Sequence, residues 1–384
     1  MIVVGAGPVG LTLAWRLALA GLEPVVLERE AEITRQLRAS TFHPPTLDML
    51  APDGISQILH AHGRVTSQWQ IRLHETGERA VFDLSVLKGD TDHPWRLQCH
   101  QHVLATALAG RLAAMGLAPR FGAEVVAVGQ DADSAWAELA DGSRVRGDWL
   151  VGCDGARSVT RAAIGARWEG SAYPEITVLA TTRFDFAQAF EGLSGVNYIW
   201  KEGGTFSLLH LPDVWRCSFI ARPEQDLDEA VRDEALAAHL EEILPGIAVP
   251  IEERRPYRVH QRLASRWRAG RLFIAGDAAH LNSPKGGMGL NGGIHDAFAL
   301  AGLLRRAADG EECLDRYQAM RRPVVAEDII AQADANRARM AITDHAARRA
   351  ELARLQAIAA DPVRAREFLL RSSMIAGLRR AQAA

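Results

Sequence analysis

The sequence predicts an α/β fold: a Rossmann-like dinucleotide-binding domain interrupted by a mostly antiparallel β-sheet domain, with helices at the C-terminal end. Three observations carry this. A glycine-rich turn, Gly5-Ala6-Gly7-Pro8-Val9-Gly10, stands between a short apolar run and an apolar helix pattern. From Ile176 to Ile220 the pattern becomes strand-rich, with few helix signals. The chain has 384 residues, room for two or three units or one interrupted unit at roughly 150 residues each.

The first element is the run Ile2-Val3-Val4, wholly apolar and β-branched, as expected of a strand covered on both faces. In the turn that follows, Gly5 permits the tight bend and Gly7 lets backbone approach a pyrophosphate. Gly10 lets the helix from Leu11 to Ala20 pack closely on the strands. The positive end of that helix then faces the phosphates. A second apolar run, Pro24 to Leu27, ends at Glu28, whose carboxylate suits ribose hydroxyls. This motif by itself does not separate NAD from FAD.

Arg38 to Pro45 reads as a loop, with two prolines forcing an extended approach at His43 before a short helix from Thr46 to Leu50. Gln68 to His74 and Arg79 to Leu84 alternate as a hairpin around Thr76-Gly77. Gln101 to Met115 reads as an amphipathic helix. Val125 to Val128, Ala135 to Leu139 and Trp149 to Val151 read as strands, with Asp141-Gly142 a turn. Leu227 to Leu244 is a helix stopped by Pro245-Gly246, Leu272 to Ala275 a buried strand, and Gly292 to Ala308 a helix.

Lys and Arg number 44 against 47 Asp and Glu, so no sequence-wide positive field points to nucleic acid. Cys99, Cys153, Cys217 and Cys313 are far apart and lack zinc-ligand spacing; a reducing cytoplasm is the expectation, with no bound metal. Met1 to Leu22 carries one charge, Arg16, but lacks a basic leader and is broken by glycines, which argues against a signal peptide. No apolar run approaches the length of about 20 residues that a membrane span needs. Residues 337–384 hold ten arginines against four acids, read as a solvated helical face in preference to a membrane-surface helix. A monomer or homodimer is expected.

Two further motifs matter. One is Cys153-Asp154-Gly155-Ala156-Arg157-Ser158, followed by Arg161 and Gly165. The other is Gly276-Asp277-Ala278-Ala279-His280, followed by Pro284, the run Gly286-Gly287-Met288-Gly289-Leu290-Asn291 and Asp296. Together with the first glycine turn, in this order and spacing, they resemble the p-hydroxybenzoate hydroxylase family of single-component FAD-dependent aromatic monooxygenases. The resemblance covers most of residues 1–165 and 260–325; the middle sheet and the tail match only in character.

The resemblance implies an FAD-binding domain of the GR2 type in three pieces, 1–72, 97–170 and 260–325. A substrate domain would comprise a hairpin at 73–96 and a sheet at 171–259, with C-terminal helices at 326–384 in place of the thioredoxin-like domain of longer members. FAD would be held by Gly5, Gly7, Pro8, Val9 and Gly10, by Glu28 and Arg29, and by Arg38 near phosphate or ribose. Gln101, Asp154, Gly155 and Arg157 would contribute from the middle piece. Gly276 and Asp277 would meet the ribityl chain, and Pro284, Gly287, Gly289, Leu290 and Asn291 would pass the flavin ring. In the family's cycle NAD(P)H, binding transiently, reduces FAD, O2 adds, and a flavin C4a-hydroperoxide hydroxylates a small aromatic ring, phenolic or heteroaromatic.

Alternation places Phe206, Leu208 and His210 on one face of a strand and Ser207 and Leu209 on the other. Tyr198, His210 and His43 are candidates to orient or deprotonate a phenol, and Pro284 joins them beside the ring. Lys285 reads as a solvent-facing lysine next to the flavin loop. Two alternatives stay open: an FAD-dependent reductase of the same fold, or a flavoprotein that sequesters an aromatic intermediate without turnover. A halogenase is disfavoured because no two tryptophans stand two apart, and a plain NAD dehydrogenase leaves the Asp277 motif unexplained.

Overall fold

The computed structural model describes residues 1–36 and 38–384. Strand Ile2–Val4 lies inside a five-stranded sheet of order Arg268–Ala269, Leu272–Ile274, Leu150–Gly152, Ile2–Val4, Val25–Leu27. The last four strands run parallel. Parallel neighbours need crossovers, and the helix Pro8–Leu19 makes the first. It packs against the long helix Gly289–Ala308, so the N-terminal turn and the second glycine-rich segment meet although the sequence separates them widely. A three-stranded antiparallel sheet joins Val125–Gln130, Ala135–Leu139 and Arg144–Gly147.

The middle sheet has eight strands, in the order His280–Leu281, Glu253–Ala264, Trp168–Thr182, Trp215–Ile220, Gly204–His210, Val196–Lys201, Gln68–Leu73, Arg79–Asp83. Only Val196–Lys201 and Gln68–Leu73 pair in parallel; every other pair is antiparallel. The strand Glu253–Ala264 was not legible in the sequence. Its residues, ERRPYRVHQRLA, are charged, contain Pro256 and do not alternate, and long-range pairing with Trp168–Thr182 overrides that weak local preference. The helix expected over Leu227 to Leu244 is shorter, Asp233–Ile243, preceded by a single turn at Glu229–Val231.

Cross-strand partners share a face. Tyr198 pairs with Ser207, which pairs with Ser218, and Leu209 pairs with Arg216, so these lie on one face. Phe206, Leu208 and His210 pair with Phe219, Cys217 and Trp215 on the opposite face. That second face is covered by the helix Asp233–Ile243 through Leu236, Leu240 and Ile243.

Helices His345–Ala360, Pro362–Ser372 and Ile375–Ala383 close the tail. Leu352, Leu355, Leu369 and Ile375 are buried with Trp69, Phe82 and Trp200 of the sheet. Among the described residues no helix is long and apolar enough to cross a membrane. The basic tail spends much of its charge inside the molecule: Arg366 and Arg379 both grip Asp90, at 2.7 and 2.9 Å, and Arg380 reaches Glu327 and Asp328. Burial works to raise the Asp90 carboxyl, but the two guanidiniums outweigh it and hold it below the usual aspartate range. Its stabilisation is therefore present above that range and lost as pH falls through it. Asp90→Asn is expected to cost about 1–2 kcal/mol, a figure reduced because both arginines are half exposed. Urea melts at pH 7 check it, and limited proteolysis should show the tail released first.

Candidate active site

Gly5 sits at φ +102, a conformation that side chains with a Cβ rarely adopt, and a Cβ there would fall 2.5 Å from the Cys153 carbonyl oxygen. At Gly10 a Cβ would lie 2.0 Å from the Gly5 carbonyl oxygen, so only glycine lets this helix approach its strand so closely. Gly7, the residue before the helix, is different: a Cβ would meet nothing within 4 Å. No side chain caps this helix, so the N–H groups of its first turn have no side-chain acceptor. Pro8 opens the helix, and Val9 points inward. A Cβ on Gly276 would come 3.0 Å, and one on Gly293 2.5 Å, from the Val9 side chain. The Val9 side chain is thus the knob around which the two later glycines fit, while its backbone N–H stays among the uncapped donors of the first turn.

Glu28 accepts hydrogen bonds from the backbone N–H of Ala6 (2.7 Å) and Glu30 (3.0 Å), one to each carboxylate oxygen. A carboxylate has about four acceptor positions, so both oxygens keep a free lone pair. Arg29 is exposed and pairs with Glu30. Gln101 begins the helix Gln101–Ala114 without capping it. Arg38 is exposed, and its carbonyl accepts a bond from Arg216 at 2.9 Å.

Asp154 takes the backbone N–H and hydroxyl of Thr160 on one oxygen, both at 3.2 Å, while its other oxygen is buried without a partner. Gly155 follows with positive φ, and Arg157 projects into solvent. Arg161 links this segment to the next motif: it donates to the carbonyls of Ala278 (3.1 Å) and Ala156 (2.7 Å) over the Trp168 ring. Asp277 makes no protein hydrogen bond among the described residues. Its surface is open to solvent, yet surrounding protein raises its carboxyl, with His280 and Arg38 pulling the other way.

The loop that follows is held from within. His43 is fully buried and donates from Nε2 to the Gly286 carbonyl at 2.8 Å, leaving Nδ1 unprotonated and without a partner. Burial, then the nearby Arg96, holds its pKa well below the usual histidine value, so the ring is neutral. Asn291 is also fully buried. Its amide donates to the carbonyls of Thr41 (2.9 Å) and Gly287 (2.7 Å) and accepts from the His43 N–H (2.9 Å). Both amide hydrogens of Asn291 are spent on the protein and its oxygen accepts one bond from it, so the side chain clamps the loop. Pro284 is exposed at the loop's start, and Gly289 and Leu290 open the helix Gly289–Ala308, whose positive end faces the loop.

Beneath lies a buried charge cluster that the sequence motifs touched only in part. Asp296 is fully buried and accepts from His280 Nε2 (2.8 Å), Arg321 Nε (2.8 Å) and the Gly276 N–H (3.2 Å). Arg321 had no signal in the sequence; it lies on the helix Arg316–Val324, which carries Pro323 near its end and passes into a π-helical turn at Val325–Ile330.

Of the residues expected beside the substrate, Tyr198 and His43 come together and His210 does not. The Arg96 guanidinium lies 5.1 Å over the Trp69 ring, whose centroid is 6.1 Å from that of Tyr198, and the same arginine acts electrostatically on Tyr198 and His43. His210 lies on the opposite sheet face, stacked on Trp215 at 4.1 Å. The reason is the pleat: His210 and Tyr198 pair with residues of opposite parity. Lys285, read from sequence as solvent-facing, is half-buried and lines a cavity of about 700 Å³ with Glu175, Arg337, Met340, Thr205 and Ile220. Burial, and to a lesser degree Arg337, lowers its pKa to about 8 against the opposing pull of Glu175.

Three features fit FAD. The first turn of Pro8–Leu19 is open beside a glycine that leaves room for phosphate. Glu28 retains acceptor capacity at the ribose end. Asp277 is an exposed carboxylate without a protein donor among the described residues, on the segment that leads into the flavin loop. A parallel sheet with such a site defines a flavin-nucleotide-binding oxidoreductase.

The comparisons narrow this. The FAD binding domain family model matches residues 1–333, and the chain belongs to that family. It is 35% identical over 331 residues to 6-hydroxy-3-succinoylpyridine 3-monooxygenase of Pseudomonas putida, covering 84% of each. It is 32% identical to para-nitrophenol 4-monooxygenase of Pseudomonas sp. strain WBC-3, over 99% of this chain and 96% of the relative. The crystal structure of p-nitrophenol 4-monooxygenase from Pseudomonas putida DLL-E4 superposes with TM-score 0.91 at 31% identity, covering 98% of this chain and 97% of that one. The protein is an FAD-dependent aromatic monooxygenase that uses NAD(P)H.

Proposed function

We propose that a small phenolic or heteroaromatic ring is hydroxylated between the loop Pro284–Met288 and the sheet face that carries Tyr198. The cavity beside Lys285 is its way in. The observation that carries this reading is a run from loop to sheet: His43 on the Gly286 carbonyl, Arg96 acting electrostatically on His43, and the Trp69 ring between the Arg96 guanidinium at 5.1 Å and the Tyr198 ring at 6.1 Å. Two relatives are named for a nitrophenol and a hydroxylated pyridine, which supports a ring of this size bearing an oxygen. Free, widely spaced cysteines support a reducing cytoplasm, where the protein works as a monomer or homodimer.

Gly7 and the helix behind it hold the FAD pyrophosphate, Glu28 the ribose, Asp277 the ribityl chain, and Gly287, Gly289 and Leu290 present backbone to the ring. Bound FAD supplies the redox chemistry, accepting hydride from NAD(P)H and activating O2. The protein orients and excludes water. Tyr198 orients the substrate oxygen. His43, neutral at working pH, fixes the loop rather than supplying a proton. Arg29, Asn291 and Val9 serve the fold around the cofactor.

His210 takes no part, so His210→Gln is expected to leave kcat/KM within about twofold of wild type across pH, since its ring stacks on Trp215 on the face away from Tyr198. Tyr198→Phe should keep substrate-stimulated NAD(P)H oxidation but divert it to hydrogen peroxide. Steady-state oxidation with peroxide counted tests both. A large loss in the His210 variant beside an unchanged Tyr198 variant would reverse the face assignment.

A further inference from the structure

One wall of the cavity beside Lys285 is apolar and unused. Thr205 and Ile220 lie on the face of Tyr198: Tyr198 pairs with Ser207, Thr205 stands two residues from Ser207, and Ile220 stands two from Ser218, the partner of Ser207. Met340 closes the space from the helix Ala331–Met340. Gly204 marks the strand end, round which the cavity continues to Phe219 on the opposite face. Ile220 belongs to an interior strand of the sheet, yet it is only half-buried and packs into none of the apolar clusters of the described residues. Apolar surface that lines a cavity leaves water only when something fills the space. The cations on the wall are already matched. Lys201 and Arg222 hold Glu242 at 2.6 and 3.2 Å, Arg337 holds Glu175, and Arg348 gives its N–H groups to the carbonyls of Ile342, Lys201 and Gly204. Lys285 has the Glu175 carboxylate as its opposite charge. The cavity measures about 700 Å³, the size that takes a drug-sized ligand, so a lone ring uses a small part of it.

We propose that the substrate ring carries a neutral, mainly apolar arm, and that the arm lies in this cavity against Ile220, Thr205 and Met340. The proposal rests on the reading that the ring lies against the Tyr198 face. The space through which the ring enters then holds the arm once the ring is in place. At roughly 3.3 Å per residue the strand Gly204–His210 runs about 7 Å from Ser207 to Thr205 and about 10 Å to Gly204, so the arm extends about 7–10 Å beyond the ring. Its contact with Ile220 removes from water the apolar surface that the protein itself leaves uncovered. A charge on the arm gains no partner, because the ion pairs of the wall are complete without it.

The test titrates FAD-loaded protein, without NAD(P)H, with 4-alkylphenols from methyl to octyl and with their 3-alkyl isomers, binding being read from the flavin absorbance. In one of the two series affinity should rise about threefold per methylene until the chain fills the cavity, and then level off. Met340→Trp, which fills the space, and Ile220→Asn, which makes the wall polar, should each lower the affinity ratio of longest to shortest phenol by at least about tenfold. The ratio is read within one protein, so a partial loss of folded material in either variant does not alter it. Affinity that is flat or falls from the first methylene in both series overturns the proposal, and so does a wild-type ratio that both variants retain. A chain ended in a carboxylate that binds more tightly than the methyl-ended chain of equal length also overturns it, and gives the cavity to acidic side chains. Tyr198→Phe separates the proposal from the reading beneath it. Weaker binding of the shortest phenol with an unchanged ratio supports both; unchanged binding of the shortest phenol with the ratio intact keeps the arm in the cavity and fails the face assignment.

Discussion

Arg321→Met is expected to destabilise the protein by about 3–5 kcal/mol at neutral pH, the usual cost of removing one partner of a buried ion pair. Arg321 and Asp296 are both essentially inaccessible, and Asp296 ties together His280, the Gly276 N–H and the helix Gly289–Ala308. Burial raises the Asp296 carboxyl; Arg321 first and His280 second outweigh it and hold it below 3.8. A depressed carboxyl contributes stability above its unfolded pKa and loses it as pH falls through the folded value. In the variant that carboxyl loses its larger cation and its pKa rises, so protonation becomes favourable in the folded state. The deficit relative to wild type should therefore shrink as pH is lowered toward 4. Urea denaturation of both proteins at several pH values reads this directly. A deficit that stays constant with pH would mean lost packing in place of an uncompensated charge. Because His280 closes the segment that carries Asp277, FAD should also be retained less well.

Gly10→Ala is expected to yield a colourless and unstable protein, whereas Gly7→Ala should yield a stable but colourless one. At Gly10 the new carbon would sit 2.0 Å from backbone oxygen and 3.2 Å from the Cys153 side chain, so the helix must shift off its strand. Overpacking of this kind costs about 3 kcal/mol, and the shift misplaces the helix end that would face the pyrophosphate. At Gly7 the methyl has free space in the protein, so melting should be unchanged and only the approach of phosphate is obstructed. Thermal melts of the apoproteins, with FAD content by absorbance, separate the two effects. Equal melting losses would contradict the assignment of one glycine to packing and the other to ligand.

The nucleotide-binding half was legible because its signals are local. Gly5, Gly7 and Gly10 each answer to a steric demand within a few residues, and Asp277 stands directly after its buried strand. The middle sheet was legible only as strand-rich. Its register decides which face meets the flavin, and no local pattern encodes that: Ile199 and Tyr198 are neighbours in sequence on opposite faces. His210 was singled out as a titratable group on a strand, but its partner Trp215 places it against the covered face. Arg96, Arg216 and Arg321 escaped notice for another reason. A sequence does not distinguish an arginine buried against a phenol or an aspartate from the many arginines that stay in water. Asn291 and Val9 were legible as members of motifs, yet their work is to lock the motifs together, which only the packed structure displays.

The central claim is coupled hydroxylation at the Tyr198 face, and NAD(P)H oxidation by FAD-loaded protein across a panel of phenols and hydroxypyridines tests it most directly, with hydrogen peroxide and product both counted. The account predicts that an ionisable phenol or hydroxypyridine stimulates oxidation with product matching NAD(P)H consumed and little peroxide. Stimulation with peroxide equal to NAD(P)H consumed for every ring tried would contradict it.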